Sequence, residues 1–250
     1  MKMGGRVRAD QRGFTLAELL VAIAILGLVM GGILTLLMTG NQSYLTGSNQ
    51  AEAQATIRAA LERITLDIRE AGYGPTTDQN CTAPNVPSGC FNAVINPTVT
   101  SFTLQSDWNG SGAIQVPCPA PTCDINYVFG GVNTAVRRGE QVTYTVVGGN
   151  LCRQESDIPV VPPDPLCPAG FVSLVTSVQQ ASVGGVLQRF FQYVDANGQD
   201  MTAAAAASPW LIRTIWVQVV VGVQNQPPAI WQTGRVQVTM SDRIRLRNRI

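Results

Sequence analysis

The chain has 250 residues, 45% of them hydrophobic, with 17 basic against 16 acidic side chains and no histidine. That absence excludes a Ser-His-Asp or Cys-His constellation and any histidine-ligated metal, and the sole lysine, Lys2, leaves the body of the chain without a Ser-Lys pair or a phosphate-loop lysine. A formal charge of +1 excludes a globally basic nucleic-acid binder, and the missing histidine and body lysine point away from an enzyme.

The first 13 residues, MKMGGRVRADQRG, set Lys2, Arg6, Arg8 and Arg12 against one acid, Asp10, and leave 13 basic and 15 acidic residues for the remainder. An apolar run of 25 residues follows, Phe14 to Met38, with a single charge at Glu18. At about 1.5 Å per helical residue it spans roughly 37 Å, enough for a tilted bilayer crossing. The flanking basic cluster predicts that this end stays in the cytoplasm and that the bulk is exported. No later segment matches it, so the chain crosses a membrane at most once. An ordinary secretory signal puts its cleavage site after the apolar run. Here the basic leader ends in Gly13, immediately before that run. A carboxylate near the hydrocarbon edge is costly unless paired, which makes Glu18 a functional candidate whose partner must be named.

Helical character continues past the apolar run. Ile57, Leu61, Ile64, Ile68 and Ala71 recur at spacings of four and three, the stripe of a helix with one buried face. Arg58 with Glu62, and Arg63 with Asp67, are opposite charges four apart and are expected on its wet side. Glycine and proline predict an end between Gly72 and Pro75. An unbroken helix from Phe14 to Gly72 would reach about 88 Å, with soft points at Gly27, Gly31 and Gly32.

The rest reads as strands. In QVTYTVVGGNLCRQ, Val142, Tyr144 and Val146 alternate with threonines before Gly148 and Gly149, a hairpin pattern. LQRFFQYV followed by DANG predicts a strand and a turn, RTIWVQVVVGV puts Ile215, Val217, Val219 and Val221 on one face, and RVQVTM and RIRLRNR alternate toward the end. Pro-rich loops between them carry six cysteines, Cys81, Cys90, Cys118, Cys123, Cys152 and Cys167. In an exported segment these read first as three disulfides, whose connectivity the sequence does not resolve. Pairing neighbours in sequence would close three short loops. The four-residue spacing in CPAPTC fits neither the usual zinc clusters nor a Cys-x-x-Cys redox site, and DANGQD has its glycine misplaced for a calcium loop and reads better as a hairpin turn. No metal or cofactor is expected. Arg243, Arg245, Arg247 and Arg249 alternate along the last strand. Without interleaved aromatics they read as a charged edge, or as partners for acids on a neighbouring subunit, rather than as a nucleic-acid surface.

Gly13, Phe14, Thr15, Leu16 and Glu18 closely match the cleavage and methylation signature of type IV prepilins, and the chain resembles that family. The resemblance implies that a prepilin peptidase cuts between Gly13 and Phe14 and methylates the new amino terminus, and that Glu18 pairs with the charged amino terminus of a neighbouring subunit. It implies an α+β, pilin-like fold: a leader over 1–13, a transmembrane and filament-core helix over 14–38, its amphipathic continuation over 39–74, and a β domain with disulfide-pinned loops over 75–250. ALERITLDIREAGYG, VTYTVVGGNLCRQ and the terminal IRLRN resemble PilW-like minor pilins and the related J-type pseudopilins of type II secretion. The loops from about Gln79 to Pro121 match no such pattern. Length and cysteine number favour a minor pilin, anchored in the inner membrane before assembly and placed in a priming complex at the pilus tip with other minor pilins and the major pilin. The alternatives are a J-type pseudopilin and a tip-located adhesin or DNA-binding subunit.

Overall fold

The stripe from Ile57 to Ala71 becomes the buried face of a long helix, α1 (Leu16–Glu70). The computed structural model describes residues 15–73, 91–108, 114–116, 124–129, 132–137, 139–156, 158, 162–180, 182–183, 186–222 and 237–246. The chain divides into two units, Met1–Ser48 and Asn49–Ile250.

In the first unit, every α1 residue from Leu16 to Met38 is exposed, and among the described residues α1 is the one helix long and apolar enough to cross a membrane. Gly27, Gly31 and Gly32 lie within its continuous hydrogen-bonded run, with open space where a side chain would stand. The hydroxyls of Thr35 and Thr39 donate to the carbonyls four residues earlier, at 2.8 and 2.9 Å. Polar groups in this apolar stretch are therefore satisfied by the helix itself.

In the second unit, α1 ends in a turn at Ala71 and Gly72. Gly72 sits at φ 78°, a left-handed conformation that costs glycine nothing, and its N–H donates to Gln105 O at 2.8 Å. This joins the helix exit to the first of two antiparallel sheets. That sheet has the order β1 (Val94–Ile95), β2 (Ser101–Gln105), β5 (Gln141–Val147), β6 (Asn150–Glu155) and β7 (Val172–Val175). β5 and β6 form the hairpin expected from the sequence. Its two-residue turn is Gly148-Gly149, both at positive φ (57° and 75°), as a turn matched to strand twist requires.

The second sheet centres on β12 (Thr214–Gly222). β13 (Gln237–Arg245) lies along one edge over nine residue pairs, and β11 (Phe191–Val194) and β8 (Val178–Gln179) share the other. Two-stranded ribbons, β3 (Asp124–Phe129) with β4 (Val132–Arg137) and β9 (Ser182–Val183) with β10 (Val186–Leu187), complete the strands among the described residues. Gln237–Met240 of the first pattern and Arg243–Arg245 of the second are thus parts of one strand, because β13 continues its pairing through Ser241 and Asp242.

Ile57, Leu61, Ile64 and Ile68 join Phe102, Tyr144, Phe191, Tyr193, Ile215 and Val217 in one buried core. Phe102 stacks on Tyr144 at 5.3 Å and meets Phe191 edge-on at 4.7 Å, an aromatic bridge from one sheet to the other. The Tyr193 hydroxyl donates to Thr98 O at 2.7 Å beside it. This is the α+β, pilin-like architecture expected: a long N-terminal helix packed with antiparallel sheets.

Cys152, fully buried on β6, is bonded to Cys167, with 6.0 Å between their Cα atoms. Asp164 organises the same loop, accepting Leu166 N at 2.9 Å and the Ser173 amide and hydroxyl at 2.7 and 2.6 Å. The Ser173 hydroxyl, its amide and the Leu166 amide hold that carboxyl below the usual carboxylate range. Cys81, Cys90, Cys118 and Cys123 lie outside the described residues.

Candidate functional site

Thr15, Leu16, Ala17 and Glu18 spell the Thr-x-x-Glu pattern of a helix start, and the structure closes it. The Glu18 N–H donates to Thr15 Oγ1 at 3.3 Å, and Glu18 Oε2 accepts both the Thr15 N–H and its hydroxyl at 2.9 Å. This reciprocal cap satisfies helix-end donors that would otherwise face an apolar surrounding. The sequence reading missed it, although the four-residue pattern was there to find. Glu18 Oε1 makes no hydrogen bond among the described residues, so the carboxylate retains an acceptor. Gly13 and Phe14 lie immediately before the cap and outside the described residues.

A second polar cluster sits where the later turns of α1 meet β5 and β6. Asp67 was expected on the wet side with Arg63. It is instead buried, at 6% exposure, because it lies seven residues after Ala60 and three after Ile64, within the core stripe. Its Oδ2 accepts the Tyr144 hydroxyl at 2.6 Å and Arg153 Nε at 2.8 Å, while Arg63 approaches Oδ1 at 3.4 Å. Arg153 also reaches Glu155 at 2.8 Å. The buried carboxylate is thus compensated by a hydroxyl and a guanidinium, as burial demands. Burial, then the Asp67 charge, push the Tyr144 phenol well above its ordinary value. Heptad position was the sequence signal for Asp67, but nothing in sequence joins it to residues 77 and 86 positions away.

The arginines of the last strand form a third feature. Arg243 and Arg245 project from the outer face of β13, opposite Trp216 and Thr214 of β12. The Arg243 guanidinium lies 4.8 Å from the centre of the Trp216 ring. The aromatic that the last strand lacks is therefore supplied by its neighbour. Arg247 and Arg249 lie outside the described residues. At DANGQD, Asp195 Oδ1 accepts the Asn197 and Gln199 amides, each at 2.8 Å, which makes a turn closed by Gly198 at φ 80°. Among the described residues no group of three or more metal-ligating side chains is assembled.

Residues 8–34 match the family model of the prokaryotic N-terminal methylation motif. No curated protein and no solved structure matches the chain. The motif is type IV prepilin-like, a signature of structural subunits that a prepilin peptidase processes, so this end of the chain has the form of a pilin or pseudopilin precursor.

Proposed function

We propose that this chain is a minor pilin that acts in initiation and assembly of the type IV pilus, within a priming complex at the tip. The observation that carries the proposal is the methylation motif over residues 8–34 joined to an exposed apolar helix that begins with its own cap. In this reading residues 1–13 are the leader, the peptidase cuts between Gly13 and Phe14 and methylates Phe14, residues 14–38 pass from inner membrane to filament core, residues 39–74 continue the helix, and residues 75–250 form the exported domain.

Glu18 then has two tasks. One oxygen caps its own helix through Thr15, and the other accepts the charged amino terminus of a neighbouring subunit, which offsets the burial of both charges as a subunit leaves the bilayer. Other minor pilins and the major pilin dock through the apolar face of α1. The chain does no chemistry of its own.

A strain lacking this chain tests the reading. Surface pili are counted by electron microscopy while secreted proteins are compared in the same culture. Lost pili with normal secretion is the expected result, and intact pili with blocked secretion would move the chain to the pseudopilins.

A further inference from the structure

A groove of about 500 Å³ runs between α1 and β13, within the second unit. One wall is α1 between Arg58 and Arg69, and the other is Met240, Ser241 and Asp242. Alternation along β13 says which part of the strand this is. Val238, Met240 and Ile244 turn toward the core, and Asp242 follows their alternation, its Oδ2 accepting the Thr65 hydroxyl at 3.3 Å; Ser241 points the other way and is exposed. A groove lined by side chains from both faces of one strand lies along that strand's edge. β12 fills the opposite edge over all nine residues and β13 comes last in the sheet, so the edge at the groove has no strand partner among the described residues.

An unpaired edge of this length presents backbone donors and acceptors to any strand laid beside it. The helix wall decides which side chains such a strand carries. Leu66 is 53% exposed at the middle of the groove, with Leu61 and the half-buried Met240 beside it, so the centre is apolar. Arg58 and Arg69 stand at the two ends, both exposed and neither held by an ion pair or hydrogen bond among the described residues. Glu62 and Asp242 lie between them and repel an acid from the centre. The eleven steps from Arg58 to Arg69 cover about 16 Å of helix axis. Alternate side chains of a strand stand about 6.6 Å apart, so two acids on either side of one apolar residue are about 13 Å apart, within reach of both guanidinium groups.

We propose that this groove takes an extended segment of a neighbouring protein chain, added as a strand on β13, with one apolar side chain between two acids at alternate positions. Its backbone completes the β13 edge, the apolar side chain covers Leu66, and the acids meet Arg58 and Arg69. A helix in the same groove would cover Leu66 but leave the edge unpaired. The proposal stands apart from the pilus reading, since it draws on neither the methylation motif nor the membrane helix.

The test is fluorescence anisotropy of a labelled peptide, Thr-Glu-Thr-Leu-Thr-Glu-Thr, titrated with the full chain in detergent micelles, with empty micelles as the blank. It should bind with a Kd of about 1 mM or tighter, and the peptide with both glutamates replaced by lysine should bind at least about tenfold more weakly. Leu66→Glu and Arg58→Glu, at exposed helix positions, should each weaken the acidic peptide about tenfold, and Arg58→Glu should narrow the gap to the basic one. Two N-methylated peptides separate strand from helix. One is blocked at the amides of its third and fifth residues, the other at its second, fourth and sixth. A strand turns alternate amides to its neighbour, so one of the two should keep its affinity and the other lose it. Loss in both would assign the groove to a helix and overturn the proposal, and loss in neither would show that the backbone takes no part. Absence of binding, or equal binding of the acidic and basic peptides, would also overturn it.

Discussion

Removing the Asp67 carboxylate should loosen the grip between the later turns of α1 and the hairpin of β5 and β6. Asp67→Ala takes the acceptor from a buried Tyr144 hydroxyl held at 2.6 Å and removes one of the two carboxylates that Arg153, with its side chain 15% exposed, meets at 2.8 Å. A stranded buried hydroxyl costs about 1–3 kcal/mol, and breaking a buried ion pair from one side costs about 3–5 kcal/mol. Arg153 keeps Glu155 at 2.8 Å, which places the expected loss at the low end, about 3 kcal/mol. For a unit of this size each kcal/mol moves Tm by about 2–4 °C, so the drop should be about 6–12 °C. The exposed Arg189–Asp200 pair supplies the control, since both side chains are more than two-fifths exposed and such pairs are worth about 0–1 kcal/mol. The assay is thermal and denaturant unfolding of the full chain in detergent for Asp67→Ala, Asp67→Asn, Tyr144→Phe and Arg189→Ala, which removes the exposed pair while leaving Asp200 its bonds from Thr202. Asp67→Asn retains an acceptor and should fall between. If Asp67→Ala unfolds no earlier than Arg189→Ala, the cluster holds nothing. A double-mutant cycle with Tyr144→Phe should return a coupling of about 0.5–3 kcal/mol, and strict additivity would separate the two groups.

Gly13→Ala should leave the leader attached, read as intact mass in the membrane fraction; normal maturation would refute the assigned scissile bond. Glu18→Ala should still mature but enter filaments poorly, and wild-type incorporation would remove the case for charge pairing. Replacing Cys152 and Cys167 together by serine should cost about 3 kcal/mol, the loop-closure entropy for a separation of 15, and an unchanged non-reducing melt would show the loop to be held by the Asp164 bonds alone. Burial pushes the Tyr144 and Tyr193 phenols upward, so the native state favours their neutral forms. That stability is complete below the unfolded value near pH 10 and is lost as pH rises toward the folded values, so stability should fall only above about pH 10. Two of the five tyrosines should then ionise only with unfolding, and full tyrosinate absorbance before the melt would contradict it.

Periodic features were legible in the sequence and single contacts were not. The stripe at Ile57, Leu61, Ile64 and Ile68 announces its own buried face because 3.6-residue spacing leaves little choice. The β5–β6 hairpin is equally local, since two adjacent glycines fix the turn. β2 was missed: SFTLQ is only five residues long, begins and ends polar, and becomes a buried strand through pairing with β5 and the helix exit. Asp67 was placed on the wrong side because charge was weighed above position, and its compensation comes from two distant strands. The arginine edge was read along one strand, whereas the register that puts Trp216 beneath Arg243 belongs to the pair.

The cap at Thr15 and Glu18 also says who owns the first turn of α1. Its closing bonds run among Thr15, Glu18 and Leu19. The helix therefore begins by its own grammar, with the punctuation inside the word. A cut between Gly13 and Phe14 would fall outside that mark, shortening the chain without unwinding a turn, and the freshly made amino terminus would emerge beside a helix end already finished.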